Sequence, residues 1–315
     1  MSEIFTTAFL VGLIGATLRV ATPLVYATIG EVLVERTGIL NLGIEGIMFL
    51  GAFSGFAVAF HADAAGWGGY LWIGLLGAAV SGMVMGLLMA FFSVNLGVNQ
   101  HVSGLGITLL CIALSLFGFR MIFGENSVLP SVTPFAQLEI IPATNPVGTI
   151  LKQYLLTYIG FLLLVPASWW LLFRTNFGLS IRAVGENPEA VDAAGLNVYR
   201  IRTIALVIGS MLMAVGGAFL SLAQLGAFSP GIIAGRGWVC IALVIFARWM
   251  PVRAMWGALL FAGVFALQLR LQTLGMDLPF EAFLALPYLV TLLALALAGR
   301  SVAYPGAYLK PYRRE

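Results

Sequence analysis

The sequence predicts an all-α protein that crosses a membrane several times. Hydrophobic residues make up 61% of the chain and charged residues only 9%, and the mean hydropathy of +1.01 lies far above that of soluble domains. The apolar runs are long and lack the two-residue alternation that marks the strands of a membrane β-barrel. Backbone polar groups inside lipid must then be satisfied within each segment, which predicts helices.

The chain divides into about ten apolar pieces, judged against the roughly 20 apolar residues that one crossing needs. In order, the pieces are 4–18, 23–34, 38–60, 70–94, 102–123, 154–173, 201–225, 232–247, 254–269 and 280–298. The piece 23–34 is too short to cross alone and has charged residues on both sides, which predicts a broken or re-entrant second element. We therefore expect about eight to ten spans in one transmembrane domain over residues 1–315, with no cleaved signal peptide.

One polar segment, residues 174–202, separates two long apolar runs and carries four arginines and three acidic residues. Its centre has the pattern of a short helix over 188–194. Asn187 can cap this helix, Pro188 suits its first position and Gly195 supplies a left-handed stop. Two helical turns are marginal in water, so the rest of the chain or a partner must hold the helix in place. An ordered loop without a partner is the other interpretation.

Basic residues predict which ends of the spans face the cytoplasm. The loop 124–150 contains no Lys or Arg, whereas the polar segment has four Arg and the tail after residue 299 is also basic. We expect the polar segment, the 248–253 turn and the C-terminus in the cytoplasm, and the 124–150 loop outside. The net charge of +3 is explained by these span ends, so nucleic-acid binding is not expected.

The sequence gives little support for enzyme chemistry. The two histidines, His61 and His101, fit neither a metal site nor a nucleophile–base pair. The cysteines Cys111 and Cys240 lie in apolar runs and are predicted to be core residues. Neither lysine follows a glycine-rich loop, so a Walker A phosphate site is excluded. The energy for any uphill transport must come from an ion gradient or from another chain.

One carboxylate, Glu45, lies deep in an apolar run, four positions after Asn41. This spacing would place both side chains on one helical face. Ionisable groups inside spans are costly, so the pair predicts either a polar contact between helices or a contact with substrate or ion. Small residues at four-residue spacing in 51–55 and 82–86 predict close helix packing.

Four stretches resemble the permease subunits of bacterial ABC importers, in the family that serves branched-chain amino acids, ribose and nucleosides. They are 30–46 with the sequence GEVLVERTGILNLGIEG, 182–195 with RAVGENPEAVDAAG, 235–238 with GRGW and 266–272 with ALQLRLQ. The resemblance covers residues 16–298, and within it NLGIEG is most similar to the nucleoside and simple-sugar branch.

The resemblance implies a type II-like importer permease in the bacterial inner membrane, which forms half of a translocation pore for nucleosides or, alternatively, for simple sugars. It implies three partners: an ATPase subunit in two copies that binds ATP and Mg, a second and longer permease, and an extracytoplasmic substrate-binding protein or lipoprotein. This chain itself would hold no cofactor. The polar segment would be the coupling segment that seats in a groove of the ATPase. The candidate coupling residues are Arg182, Glu186, Asn187, Pro188, Glu189, Ala190, Ala193, Ala194 and Gly195.

A nucleoside pore needs an apolar surface for the base and amide or hydroxyl groups for the ribose. The pore or substrate candidates are Asn41, Glu45, Asn99, Ser103, Gln224, Phe228 and Gln268. A stand-alone ion-coupled transporter is the competing class. A membrane scaffold without transport gives no reason for the polar segment.

Overall fold

A computed structural model describes residues 6–124, 129–142, 145–273 and 303–313, together with the isolated positions 285, 289, 290, 292, 293 and 296. Within these residues the chain is built of helices, which confirms the predicted all-α class. The helices are α1 (Thr7–Glu35), α2 (Ile44–Ala64), α3 (Tyr70–Ala90), α4 (Gln100–Phe123), α5 (Pro146–Leu151), α6 (Leu155–Tyr158), α7 (Val165–Arg174), α8 (Asn176–Glu186), α9 (Pro188–Ala193), α10 (Val198–Phe219), α11 (Arg236–Ala247) and α12 (Pro251–Thr273).

Short segments of other geometry complete the described elements. Wider π-helical turns extend α3 over Phe91–Asn95, join α6 to α7 over Ile159–Leu164 and extend α10 over Leu220–Leu225. The strand β1 (Gln137–Leu138) within the 124–150 loop pairs antiparallel with β2 (Gln153–Tyr154), which follows the loop. The turn over Ile159–Leu164 matters for the membrane because it joins the short helices α6 and α7 into one stretch of 20 residues, long enough to cross it.

Seven helical stretches in the described residues are long and apolar enough to cross a membrane. They are Thr7–Glu35, Ile44–Ala64, Tyr70–Asn95, Gln100–Phe123, Leu155–Arg174, Val198–Leu225 and Pro251–Gln272. The 12-residue α11 is only about 18 Å long, against roughly 30 Å of hydrocarbon. The predicted span 280–298 lies outside the described residues, apart from the isolated positions, and stays a prediction. The described count is therefore lower than the predicted eight to ten.

The broken second element predicted over 23–34 is wrong. Helix α1 runs without interruption through Pro23 and unites the predicted pieces 4–18 and 23–34. A proline removes one helical hydrogen bond, but packing against neighbouring helices makes this tolerable in a membrane bundle. Arg19, which interrupts the apolar run in the sequence, is partly buried, and its Nη1 donates to the Lys152 carbonyl oxygen at 3.5 Å.

Helix α2 lies at the centre of the bundle, where α1, α3, α4, α10 and α11 pack around it. Contacts with α10 are close enough to exclude side chains at several positions. A Cβ at Gly217 would lie 1.8 Å from the Met48 carbonyl oxygen, and one at Gly51 would lie 2.2 Å from that of Ala214. The glycines of 82–86 face the α10 backbone in the same way. The small-residue spacing therefore marks close packing, as predicted.

The polar segment, the turn between α11 and α12, and the tail 303–313 meet at one end of the bundle. The Arg36 Nε, just after α1, donates to the Trp249 carbonyl at 3.1 Å. The Leu309 N–H of the tail donates to the Gly38 carbonyl at 2.9 Å. The basic regions that the sequence assigned to one side of the membrane thus share one end.

The opposite end carries the start of α1 and the 124–150 loop. Arg270 near the end of α12 donates through Nη1 to the Phe9 carbonyl at 3.0 Å. The Val132 N–H donates to the Gly226 carbonyl at 2.8 Å, which joins the loop to the end of α10. The predicted core positions of Cys111 and Cys240 are confirmed, since both are fully buried.

Valine in place of Gly217 is expected to force α10 away from α2 and to destabilise the bundle by about 1–3 kcal/mol, the usual cost of overpacking. The measurement is the thermal unfolding midpoint of the purified protein in detergent. Gly106→Val is the matched control, because a Cβ at Gly106 meets nothing within 4 Å. Equal midpoints for the two variants would contradict the close contact.

Candidate functional site

The loop 36–43 between α1 and α2 is irregular in backbone yet mostly buried. Buried N–H and C=O groups outside regular structure need partners from elsewhere in the protein. The Leu40 N–H donates to Gln100 Oε1 at 2.9 Å, and Arg202 Nε donates to the Thr37 carbonyl at 3.2 Å. The starts of α4 and α10 are thereby tied to this loop.

Asn41 lies in this loop, and its backbone N–H and both polar atoms of its side chain form hydrogen bonds. Its N–H donates to Glu31 Oε1 at 2.9 Å, and its side-chain Oδ1 accepts from the Gly43 N–H at 3.0 Å. Its Nδ2 donates to Ser210 Oγ at 3.4 Å. The side chain is fully buried, so it fastens α1 and α10 to the start of α2.

Glu45 forms a second polar contact, with the start of α11. Its Oε1 accepts from the Gly235 N–H at 2.9 Å and its Oε2 from the Gly237 N–H at 2.7 Å. The prediction that Asn41 and Glu45 share one helical face is wrong, because α2 begins only at Ile44 and Asn41 precedes it. Of the two alternatives raised by the sequence, this geometry favours the contact between helices.

Two fully buried acids at the end of α1, Glu31 and Glu35, were missing from the sequence-based candidates. Glu35 Oε2 accepts from Trp249 Nε1 at 2.7 Å. Trp249 has a φ of +56°, a conformation that a bulky residue keeps only when its surroundings hold it there. The signal in the sequence is the four-residue spacing of the two acids, which places both on one face of a helix.

The polar segment folds into the two helices α8 and α9. The predicted short helix is confirmed as α9: Asn187 Oδ1 accepts from the Ala190 N–H at 3.0 Å, and Gly195 has a φ of +84°. Helix α8 was not predicted, because Gly178 and Gly185 are poor helix formers. It is capped by Thr175, whose Oγ1 accepts from the Gly178 N–H at 3.0 Å.

Helix α8 packs directly on the end of α1. A Cβ at Gly185 would lie 2.1 Å from the Arg36 carbonyl oxygen, so only glycine permits this approach. The guanidinium groups of Arg182 and Arg36 lie 5.0 and 6.0 Å from the centre of the Phe173 ring. Burial lowers the pKa of Arg36, Arg182 lowers it further and Glu186 opposes the change. At this junction the polar segment contacts the end of α1, a helix long and apolar enough to cross a membrane.

The outward side of α9 presents small alanine side chains beside the exposed Glu189 of its first turn, and it is uncovered in the described chain. Ala190, Ala193 and Ala194 are exposed, and Leu196 beyond them is 46% exposed. Val191 points inward and is buried. Two predicted coupling residues have internal contacts instead: Arg182 lies against Phe173, as described above, and Glu186 Oε2 accepts from the Gly306 N–H at 3.1 Å. Small side chains on a short capped helix let a partner approach its backbone closely.

The predicted pore residues near the start of α4 have local partners. Asn99 Oδ1 caps the helix by accepting from the His101 N–H at 2.9 Å. Ser103 Oγ donates to the Asn99 carbonyl at 3.1 Å and is largely buried. Phe228, proposed as a stacking surface, is fully buried, with ring centres 5.1 to 5.5 Å from those of its neighbours. Those neighbours are Phe49, Phe53 and Phe119.

Two glutamines remain as candidates for a polar pore lining. Gln224 is exposed at the end of α10 and donates through Nε2 to the Arg19 carbonyl at 3.1 Å. Gln268 in α12 is buried, and its Oε1 has no hydrogen-bond partner among the described residues. Among all the residues that the structure describes, no group of three or more His, Cys, Asp or Glu side chains could hold a metal ion.

Replacing Glu45 with alanine is expected to leave two N–H donors at the start of α11 without an acceptor, at about 1–3 kcal/mol each. Glu45→Gln keeps one carbonyl acceptor and should lose less. The measurement is thermal unfolding in detergent, with Glu189→Ala on the exposed face of α9 as a control expected within about 0.5 kcal/mol of the parent. Equal midpoints for Glu45→Ala and the parent would contradict the contact.

The model of a family described as the permease component of branched-chain amino acid transport systems matches residues 13–295. A putative glucose ABC transporter permease of Haloferax volcanii is 38% identical over 98% of this chain and 99% of its own. A nucleoside ABC transporter permease of Lactococcus lactis is 36% identical over 90% and 91% of the two chains. A guanosine ABC transporter permease of Bacillus subtilis is 33% identical over 95% and 96%.

Each of these three organisms also has a second, more distant permease relative, at 25%, 25% and 22% identity. The matches cover 78–80% of this chain but only 66–72% of those relatives, which are therefore longer. No solved structure matches this chain. The family match extends over most of the apolar helices described above. The chain belongs to the branched-chain amino acid transport permease family and is a membrane-spanning permease subunit of an ABC transporter.

Proposed function

We propose that this chain forms half of the translocation pore of an ATP-driven importer and receives its energy from a separate ATPase through the polar segment. The observation that carries the proposal is the pairing of an uncovered, alanine-rich face on α9 with the packing of Gly185 on the Arg36 carbonyl. Movement of a partner seated on α9 would thus reach the end of α1 through rigid backbone contact. ATP and Mg would be bound by that partner.

Two further partners follow from the family and its relatives. The three organisms named above each have a second, longer permease relative. This supports a second and longer permease as the other half of the pore. An extracytoplasmic substrate-binding protein or lipoprotein would deliver the substrate.

The polar segment and the tail are proposed to lie in the cytoplasm. Basic residues accumulate at cytoplasmic span ends, and the end of the bundle that holds the polar segment carries most of them among the described residues. They are Arg36, Arg174, Arg182, Arg200, Arg202, Arg248, Arg253, Lys310 and Arg313. The start of α1 and the 124–150 loop would face the other side of the inner membrane.

Nucleosides are the proposed substrates. Two of the relatives are named as nucleoside and guanosine permeases, and one is named as a glucose permease, which makes a simple sugar the alternative. Both substrate classes present hydroxyl groups. The exposed amide of Gln224 and the unpartnered carbonyl of Gln268 could bind such groups.

Arginine in place of Ala193 is expected to prevent the ATPase from seating on α9, because a long charged side chain would occupy the space beside the exposed face. The amount of ATPase that co-purifies with the permease should fall about tenfold, equivalent to about 1.4 kcal/mol of binding free energy. Ala65→Arg, exposed at the opposite end of the bundle, is the matched control. Full co-purification of the Ala193 variant would overturn the proposed coupling surface.

Substrate class is tested with the complete transporter in vesicles, using labelled guanosine, uridine and glucose. ATP-dependent uptake of the nucleosides, blocked by unlabelled nucleoside and not by glucose, is expected. Uptake of glucose alone would replace the nucleoside proposal by the sugar alternative. Uptake by this chain alone, driven by an ion gradient, would overturn the importer.

A further inference from the structure

The described part of the C-terminal tail, residues 303–313, packs against the end of α8 and the loop after α1. The Ala307 N–H donates to the Gly185 carbonyl at 2.8 Å, and the Leu309 N–H donates to the Gly38 carbonyl at 2.9 Å. These main-chain bonds join the tail both to the end of α8 and to the loop after α1. Leu309 itself has a φ of +62°, a strained conformation that persists only when the surroundings fix it.

Aromatic packing holds the tail in place along its length. The Tyr304 ring centre lies 5.2 Å from that of Trp249 and 5.1 Å from that of Tyr308. Burial raises the pKa of Tyr308 above its usual range, and the nearby Glu35 and Glu31 raise it further. Aromatic contacts of this kind stabilise a structure beyond the area they bury, so the tail is an integral part of the fold.

Backbone approaches between tail and bundle are close enough to require glycine. A Cβ at Gly38 would lie 2.7 Å from the Ala307 carbonyl oxygen, and one at Gly306 would lie 2.7 Å from the Glu186 carbonyl oxygen. Tail and α8–α9 junction therefore meet without intervening side chains.

A groove of about 330 Å³ runs between the start of α9 and the tail. One wall consists of Glu186, Asn187, Pro188 and Glu189, and the other of Gly306, Ala307, Lys310, Pro311, Tyr312 and Arg313. The α9 wall carries carboxylates and the tail wall carries cations. Most of these side chains are exposed, so a partner that enters the groove meets both charges.

We propose that the tail is the second wall of the ATPase docking groove, and that its occupant is a segment of the ATPase chain with both acidic and basic side chains. This inference rests on the proposed coupling function and deepens it. The groove residue Glu189 is followed directly by the exposed Ala190 of α9, so one partner can cover both. A lipid surface fits less well, because anionic headgroups would meet the carboxylates of Glu186 and Glu189.

The tail would also make the dock rigid. Because its main chain bonds to both Gly185 and Gly38, a load on the groove is shared by α8 and by the loop after α1. Without the tail, α9 would be held to the bundle mainly through α8 and α10, and it could pivot on them. With the tail in place, displacement of the ATPase moves α8, α9 and the end of α1 together.

The test uses the purified complex of the permease with its co-expressed ATPase and partner subunits. A photo-reactive benzoylphenylalanine is placed at Arg313 on the tail wall, at Glu189 on the α9 wall, or at Trp67, which is 60% exposed at the opposite end. The proposal expects crosslinks to the ATPase from Arg313 and Glu189 and none from Trp67. Crosslinks from Glu189 alone would overturn the tail wall and leave the coupling function standing.

The other outcomes are equally decisive. Crosslinks from neither Arg313 nor Glu189 would overturn the coupling function and the groove together. Crosslinks to lipid only would overturn the shared groove. Crosslinks to the ATPase from Arg313 but not from Glu189 would overturn it too. Equal yields from all three positions would show random capture and overturn it as well.

A charge reversal provides a second, quantitative readout. Arg313→Glu is expected to weaken ATPase binding about tenfold and to reduce its salt dependence, because a charged residue at the interface acts through steering and pairing. Arg253→Glu makes the same charge change at the same end of the bundle, outside the groove. An equal loss in both variants would assign the effect to overall charge and overturn the groove.

Discussion

The structure depends on satisfying the backbone of one irregular loop inside the helical bundle. Residues 36–43 are not helical, although they lie inside the bundle. A segment exposed to lipid could not adopt such a backbone, since unpaired N–H and C=O groups in an apolar medium cost several kcal/mol each. One partner comes from the preceding helix α1 and the others from distant parts of the chain. They are Glu31, Gln100, Thr108, Arg202 and the tail residue Leu309. Meeting this demand draws α1, α4, α10 and the C-terminal tail to the start of α2.

This loop is also the place where the polar segment meets the membrane bundle. Gly185 of α8 packs on the Arg36 carbonyl, and the tail bonds to Gly38 two residues later. The element beyond it, α1, is a single helix of 29 residues, roughly 43 Å long. A helix is stiff along its axis, so contact at its end is felt along its length. The same loop therefore joins the polar segment and the tail to the end of α1.

The packing around α2 divides the bundle into closely and loosely held parts. Glycines bring α2, α3 and α10 into backbone contact, and interhelical packing in lipid depends on such close approach. Helix α4 touches chiefly α2 and exposes side chains such as Leu109 and Met121 at 69% and 74%. Its outer face is available to lipid or to a second permease.

The sequence by itself determined the helical class, the sharing of one end by the basic segments, and the short helix α9. Each depends on local or compositional physics: a hydropathy suited to lipid, the bias of Arg and Lys, and the cap and stop at Asn187 and Gly195. Motif resemblance added the family. The apolar helical bundle and the comparisons with relatives agree with that assignment.

Only the tertiary structure decided the roles of the polar residues. Asn41 and Glu45 look alike in the sequence as buried polar groups, yet one fastens α10 and the other clamps α11, because their partners lie about 170 to 190 positions away along the chain. The continuity of α1 through Pro23 likewise depends on its neighbours. The tail looks in the sequence like a basic end and becomes a wall beside α9, since main-chain bonds to Gly38 and Gly185 exist only after folding brings them together.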